Sequence, residues 1–298
     1  MLSEGESCMA KKLVLPGIRI YGTNIRVLKP EKLALLQPGQ LRKFISDTDG
    51  TFSTLREGWE GIMGPLMVEM IIGGAEIDDA LRNRIEQDVA RYIFESTGIN
   101  TILQMAHLVE MIKEYGLVPA DKTLDDQGYK AEYNRRLMVP VGNRIARLAN
   151  NSLKLTDVTM YGALQFVRLA SKSVDIHVFS GTDDEDVRKE LAAIGIAPHV
   201  KSIHGALREY KDSNKEMVLR KLMAEFGLSG LQVAVIGDGK VELQVGAEAG
   251  CITIGIASDE VLGHGWNLKK VERLAPYADL LISDFRYHHA IMRLLKLA

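Results

Sequence analysis

The chain has 298 residues, enough for one large domain or two smaller ones, and its 46% hydrophobic and 26% charged residues are ordinary for a globular protein. A formal net charge of -2 gives no general attraction to nucleic acid or anionic lipid, so an anionic ligand must be caught by a local site. The greasiest stretch, Pro65 to Ala75, is too short to span a bilayer and carries Glu69; the N-terminus has no signal-peptide layout. Cys8 and Cys251 are too isolated for a disulfide framework or a thiolate metal site, so a cytoplasmic protein without nucleic-acid or membrane partners is expected.

Residues 1 to 40 carry one strand-like stretch, Gly17 to Val27. The first strong β-type run is Lys43-Phe-Ile-Ser-Asp47, leading into Thr48-Asp-Gly-Thr51. The character then changes. Leu66 to Ile72, Ile77 to Ser96, Thr101 to Tyr115 and Tyr129 to Asn150 read as helices, and Leu155 to Gly162 reads as a return linker. From residue 174 onward strand and helix alternate. Asp175-Ile-His-Val-Phe-Ser180 and Gln232-Val-Ala-Val-Ile-Gly237 are apolar, β-branched runs that suit buried parallel strands, with further strands at Cys251 to Ile256 and Asp279 to Ser283. Helices are predicted over Asp183 to Ile194, with Thr182 as N-cap and Gly195 as stop, over Asn214 to Phe226, and over Phe285 to Leu297. The α/β signal begins before the helical block and resumes after it, so the block is an insertion. We divide the chain into 1–55, with the first core strand; 56–156, an inserted helical cap; and 157–298, the rest of a doubly wound parallel α/β core.

Ligands of open parallel sheets bind at the carboxyl ends of the strands. The first strong strand ends in Asp47-Thr48-Asp49-Gly50-Thr51 and the second in Ser180-Gly181-Thr182. Lys215 stands near the start of a helix, and the third strand ends in Gly237-Asp238-Gly239-Lys240-Val241-Glu242. In this order the four elements resemble the motifs of the haloacid dehalogenase-like (HAD-like) hydrolase superfamily, over residues 43 to 55 and 174 to 284. The helical insertion sits where its C1-capped phosphatase branch places a cap. The resemblance implies a HAD-like Rossmannoid core with a C1-type cap, Mg²⁺ as cofactor, and hydrolysis of a small phosphorylated metabolite through an aspartyl-phosphate. It implies Asp47 as nucleophile, Asp49 as acid/base, Ser180 and Lys215 on the phosphoryl group, and the carboxylates of Asp47, Asp238 and Glu242 with the Asp49 carbonyl around the metal. Glu242 departs from the commoner aspartate, and its longer side chain can reach the metal directly or through a bound water, or simply hydrogen-bond the loop at Lys240; Thr48 and Phe52 also differ from the usual residues at their positions.

The residue types fit that chemistry. A carboxylate can attack an anionic phosphoryl group only if a cation neutralises the repulsion, and hard oxygen ligands suit Mg²⁺. An acid two residues after the nucleophile can protonate the leaving oxygen and then deprotonate water. Asp49 in that place disfavours a carbon–halogen hydrolase. A hydroxyl and an ammonium would take up charge on the phosphoryl oxygens.

Taken singly, each element has a bland reading. Asp49-Gly50 is a common turn, Ser180-Gly181-Thr182 a helix start, and Lys215 a solvated helix lysine. Asp183 to Asp186 fits the dipole of a helix start, the His288–Asp284 spacing lacks a third ligand, and Gly237-x-Gly239 lacks the third glycine of a dinucleotide fingerprint. Thr51, Arg56, Gly181, Thr182, Gln104, Arg135 and Arg136 are candidates for substrate contacts, with the cap arginines suited to a second anionic group. The stretch Gly237 to Glu260 resembles, more loosely, domains found beside sugar-kinase modules and suggests a sugar phosphate. A phosphomutase with the same chemistry, or a weakly active binding partner of a sugar kinase, remain alternatives, and the oligomeric state is open.

Overall fold

The computed structural model of the chain describes residues 15–206, 215–227 and 230–297. In chain order the elements are β1 (Ile18–Arg19), β2 (Ile25–Val27), α1 (Pro30–Ala34), β3 (Lys43–Ser46), α2 (Glu60–Ile72), α3 (Asp79–Glu95), α4 (Thr101–Tyr115), α5 (Asp126–Ala149) and α6 (Ala163–Ala170). They continue with β4 (Asp175–Asp183), α7 (Asp184–Ala193), β5 (Ser202–Ala206), α8 (Lys215–Phe226), β6 (Val233–Gly237), α9 (Lys240–Glu248), β7 (Ile252–Ile256), α10 (Leu268–Leu274), β8 (Leu280–Ile282) and α11 (His288–Leu294).

The strands form one 8-stranded sheet in the order β1-β2-β8-β7-β6-β3-β4-β5. From β8 to β5 all neighbours are parallel. The sheet is mixed at one edge, because Gly17 to Val27 folds as a short antiparallel hairpin that pairs with β8. Alternate residues of the central strands serve opposite faces. Phe44, Ala234 and Ile236 enter one apolar cluster, while Ile45, Val233 and Val235 enter another. Both faces are covered, which is why these strands read as continuous apolar runs.

Between β3 and β4 the chain builds α2 to α5, which bury Met63, Leu66, Ile85, Val89, Met105, Leu108 and Tyr129 in an apolar cluster of their own. Three of these helices begin at side-chain caps: Asp78 accepts from Leu81 N at 2.7 Å, Asn100 from Ile102 N at 3.2 Å and Asp125 from Gly128 N at 2.8 Å. Among the described residues no helix is long and apolar enough to cross a membrane.

Several boundaries differ from the sequence reading. Residues 155–162 do form a connection, but it leads into helix α6, and α11 starts only at His288. Strand β5 went unread because Ser202-Ile-His-Gly-Ala206 is an edge strand with little apolar content.

His177 on β4 gives the fold an acid-sensitive point. It is buried, its Nδ1 lies 2.8 Å from Ser202 Oγ, and its Nε2 lies 3.3 Å from the Lys43 ammonium. Burial and then the Lys43 charge hold its pKa down, from 6.5 to about 4. The native state therefore keeps the imidazole neutral while the unfolded chain protonates it. Stability should be intact above about pH 6.5 and fall as pH drops towards 4, by about 2–3 kcal/mol from this group. Urea unfolding across that window should show the loss, and His177→Gln should flatten it.

Candidate active site

The sheet order reverses around β3, whose neighbours β4 and β6 both lie later in the chain, so the crevice at its carboxyl end is the expected ligand site. Asp47 leaves the strand with its amide donating to Ile236 O at 3.0 Å, and its side chain is buried. The backbone then coils tightly, and the Thr48 carbonyl accepts from the amides of Thr51, Phe52 and Ser53 at 3.2, 2.8 and 2.9 Å. Gly50 permits this turn: its φ is +67°, and a Cβ there would sit 2.3 Å from Asp238 Oδ2. Phe52 points into the core and packs against Phe285 at 5.6 Å between centroids, so it takes no part in the leaving-group pocket.

Asp49 is held from β4. Its Oδ2 accepts from Thr182 Oγ1 at 2.8 Å, while its buried Oδ1 has no hydrogen-bond partner among the described residues. Ser180 Oγ accepts from the Thr182 amide at 3.1 Å. The structure thus brings Asp47, Asp49, Ser180, Gly181 and Thr182 into one cleft of about 300 Å³.

Carboxylate oxygens of Asp47, Asp238 and Glu242 lie within 4.8 Å of one another, and all three residues are buried. Glu242 also folds back to accept from Gly239 N at 2.7 Å, which caps α9. Hard, all-oxygen donors of this kind fit Mg²⁺, so the residues present suit the cation. Thr51 Oγ1 stands 3.4 Å from Asp238 Oδ1, which makes it a support for Asp238. Lys215 opens α8, and its side chain lies outside the described residues.

Two residues of α10 reach Asp238 as well. Lys270 Nζ lies 2.6 Å from Asp238 Oδ2 and 2.5 Å from Glu260 Oε1, and Arg273 Nη2 donates to the Asp238 carbonyl at 3.2 Å. Burial alone would pull the lysine pKa down, but the charges of Asp238 and Glu260 more than offset it and hold the pKa above the usual value. Lys270, Glu260 and Arg273 were missed in the sequence. Lys270 lies 32 residues beyond Asp238, and no spacing rule joins the two.

The cap closes the cleft with Trp59, Phe94, Thr97, Thr101, Gln104 and Tyr133. Its loop lies close on the core: a Cβ at Gly98, where φ is +93°, would be 3.7 Å from Gly239 Cα, and one at Gly181 would be 3.3 Å from Ile99 O. Lys130 and Asn134 of α5 both bind Asp183 at the end of β4, Asn134 at 2.9 Å. Gln104 lines the cleft, but its amide nitrogen donates to Ser96 Oγ at 3.1 Å and so holds the loop as well.

The cap arginines are placed differently from the expectation. Arg135 is engaged by Glu132, and Arg136 by Glu132 and Glu69 at 2.7 Å each, away from the cleft lining. Arg144 spends its guanidinium on the carbonyls of Leu55 and Glu57. Arg56 does line the cleft, but it forms a buried bidentate pair with Glu190 at 2.7–3.1 Å. Burial pushes the Glu190 carboxyl up to about 7, with Arg56 opposing the shift.

No protein-family model matches the chain, and the search of curated proteins finds no match. Solved structures do resemble it. A β-phosphoglucomutase from Clostridium difficile has a TM-score of 0.53 at 14% identity, covering 86% of this chain and 97% of that one. A predicted phosphatase from Clostridium acetobutylicum has a TM-score of 0.52 at 16% identity, covering 85% of this chain and 99% of that one. A haloacid dehalogenase-like protein of unknown function from Agrobacterium tumefaciens has a TM-score of 0.51 at 17% identity, covering 85% of this chain and 98% of that one. At these identities the likeness is one of architecture, and the chain has the haloacid dehalogenase-like fold, a Rossmannoid core with an inserted helical cap.

Proposed function

We propose that the chain is a Mg²⁺-dependent phosphomonoester hydrolase acting on a small phosphorylated metabolite. The observation that carries this reading is the meeting of Asp47 with Asp238 and Glu242, all buried, at the carboxyl end of the central strand. Asp47, Asp238 and Glu242 would hold the cation, which supplies the positive charge that lets a carboxylate approach a phosphoryl group. An oxygen of Asp47 attacks phosphorus, the bond to the leaving oxygen breaks, and Asp49 gives that oxygen its proton. Water then attacks the aspartyl-phosphate, Asp49 takes the water proton, and orthophosphate leaves as Asp47 is restored. Thr182 orients Asp49 for both transfers through the 2.8 Å hydrogen bond. The Ser180 hydroxyl and, from the start of α8, Lys215 are the groups we assign to the phosphoryl oxygens. The cap excludes water while the ester is bound, and Thr97, Thr101 and Gln104 make its side of the cleft polar, which suits a sugar or similar polyol.

The test is release of orthophosphate from 4-nitrophenyl phosphate with Mg²⁺ and with excess chelator. Turnover should appear with the cation and vanish with the chelator. Turnover unaffected by chelation would refute the cation's role. No turnover under either condition, followed by phosphoryl exchange between sugar phosphates, would replace the hydrolase by a mutase.

A further inference from the structure

Lys270 is a buried lysine that none of the four motif elements includes. Its side chain is 9% exposed, and it lines the cleft beside Asp47, Asp49 and Ser180. An ammonium has three N–H donors. One goes to Asp238 Oδ2 at 2.6 Å and one to Glu260 Oε1 at 2.5 Å, and the third has no protein acceptor among the described residues. Glu260 is itself partly buried and engages no other cation among the described residues, so its placement is explained by Lys270.

We propose that Lys270, seated by Glu260, is a phosphoryl-binding cation of this site, delivered by α10 from beyond the last strand-end motif and additional to Lys215. The inference rests on the phosphotransfer reading of the cleft. Its physical basis is charge placement. Asp47, Asp49, Asp238 and Glu242 crowd one end of the cleft with acids, and a single divalent cation leaves a phosphate dianion facing uncompensated carboxylates. Two carboxylates, at 2.6 Å and 2.5 Å, fix the Lys270 side chain at that end of the cleft. A positively charged group fixed before the ligand arrives needs no reorganisation when charge develops on phosphorus. Glu260 is then a positioning residue: it takes one N–H and keeps the ammonium at the wall of the cleft. Arg273, three residues on, fixes the Asp238 backbone from the same helix, so α10 holds both the lysine and the carboxylate it contacts.

A purely structural role would make Lys270 a counter-ion for Asp238 alone. Titration calorimetry separates the two. Orthophosphate is titrated into protein saturated with Mg²⁺, and Mn²⁺ into metal-free protein, for wild type, Lys270→Met, Lys270→Arg and Glu260→Gln. Lys270→Met should weaken orthophosphate binding by about tenfold or more while shifting Mn²⁺ affinity by less than about threefold. Lys270→Arg should recover most of the phosphate affinity, and Glu260→Gln should fall between wild type and Lys270→Met. Unchanged phosphate affinity in folded Lys270→Met overturns the proposal. So does a loss of Mn²⁺ affinity as large as the loss for phosphate, or a wild type that binds no orthophosphate in the millimolar range. If Lys270→Met does not fold, Glu260→Gln decides by the same two affinities. These readouts need no turnover: a chain that hydrolyses no ester yet binds orthophosphate through Lys270 would refute the hydrolase and leave this inference standing.

Discussion

Asp47→Asn is expected to lower turnover of an aryl phosphate by about 10⁴-fold or more while leaving the protein folded. The amide is nearly the same size as the carboxylate, and the backbone hydrogen bond from residue 47 to Ile236 O does not depend on the side chain. What the change removes is the nucleophilic oxygen anion. It also removes one of three acids whose oxygens lie within 4.8 Å of each other, so the metal-free protein should melt at the same temperature or somewhat higher. Phosphate release and thermal melting of the two proteins check both halves. Wild-type turnover in the Asp47→Asn protein would eliminate covalent catalysis through this residue.

The largest effect on stability is expected from Glu190→Ala. Arg56 is 9% exposed and donates three hydrogen bonds to the Glu190 carboxylate. The other acid paired with Arg56 among the described residues is Asp186, at 3.6 Å. Truncation leaves a buried guanidinium without its hydrogen-bonded carboxylate, facing only Asp186 at 3.6 Å and the charge of Asp49, which should cost about 3–5 kcal/mol. Replacing both residues by apolar ones, Arg56→Met with Glu190→Leu, should recover most of the loss, because the penalty comes from the stranded charge. Urea unfolding at about pH 8, where Glu190 is ionised, measures both variants. A loss below about 1 kcal/mol in the single variant would mean that Asp186 or water takes over the pairing.

The parts of the fold legible in the sequence are those with local causes. Lys43 to Asp47 reads as a strand because both faces of β3 are covered, and the starts of α3 and α4 are written in Asp78 and Asn100. The hairpin within Gly17 to Val27 was hidden because its strands are two and three residues long. At the site, Asp47, Asp49, Ser180 and Asp238 could be named because Asp47 and Asp238 directly follow β3 and β6, Asp49 is two residues beyond Asp47, and Ser180 sits near the carboxyl end of β4. Lys270, Glu260 and Glu190 could not, since their partners are set by tertiary packing. The cap arginines misled for a related reason. Arg135 and Arg136 cluster in sequence, but Glu132 lies three and four residues before them on the same helix face, and Glu69 comes in from α2.

The placement of β3 also dictates an order of assembly. Its neighbours β4 and β6 are both made after the helical insertion, and Lys43 pairs with Asp175 across 132 residues. On a ribosome adding about 5–20 residues each second, the Phe44-Ile45 segment waits roughly ten seconds for its first partner. The cap, whose helices contact one another within a continuous stretch, can complete its own apolar cluster during that interval. The central strand of the core is thus the last of the early segments to find its place, and a nascent chain stalled before residue 175 would display a folded cap beside an unpaired strand.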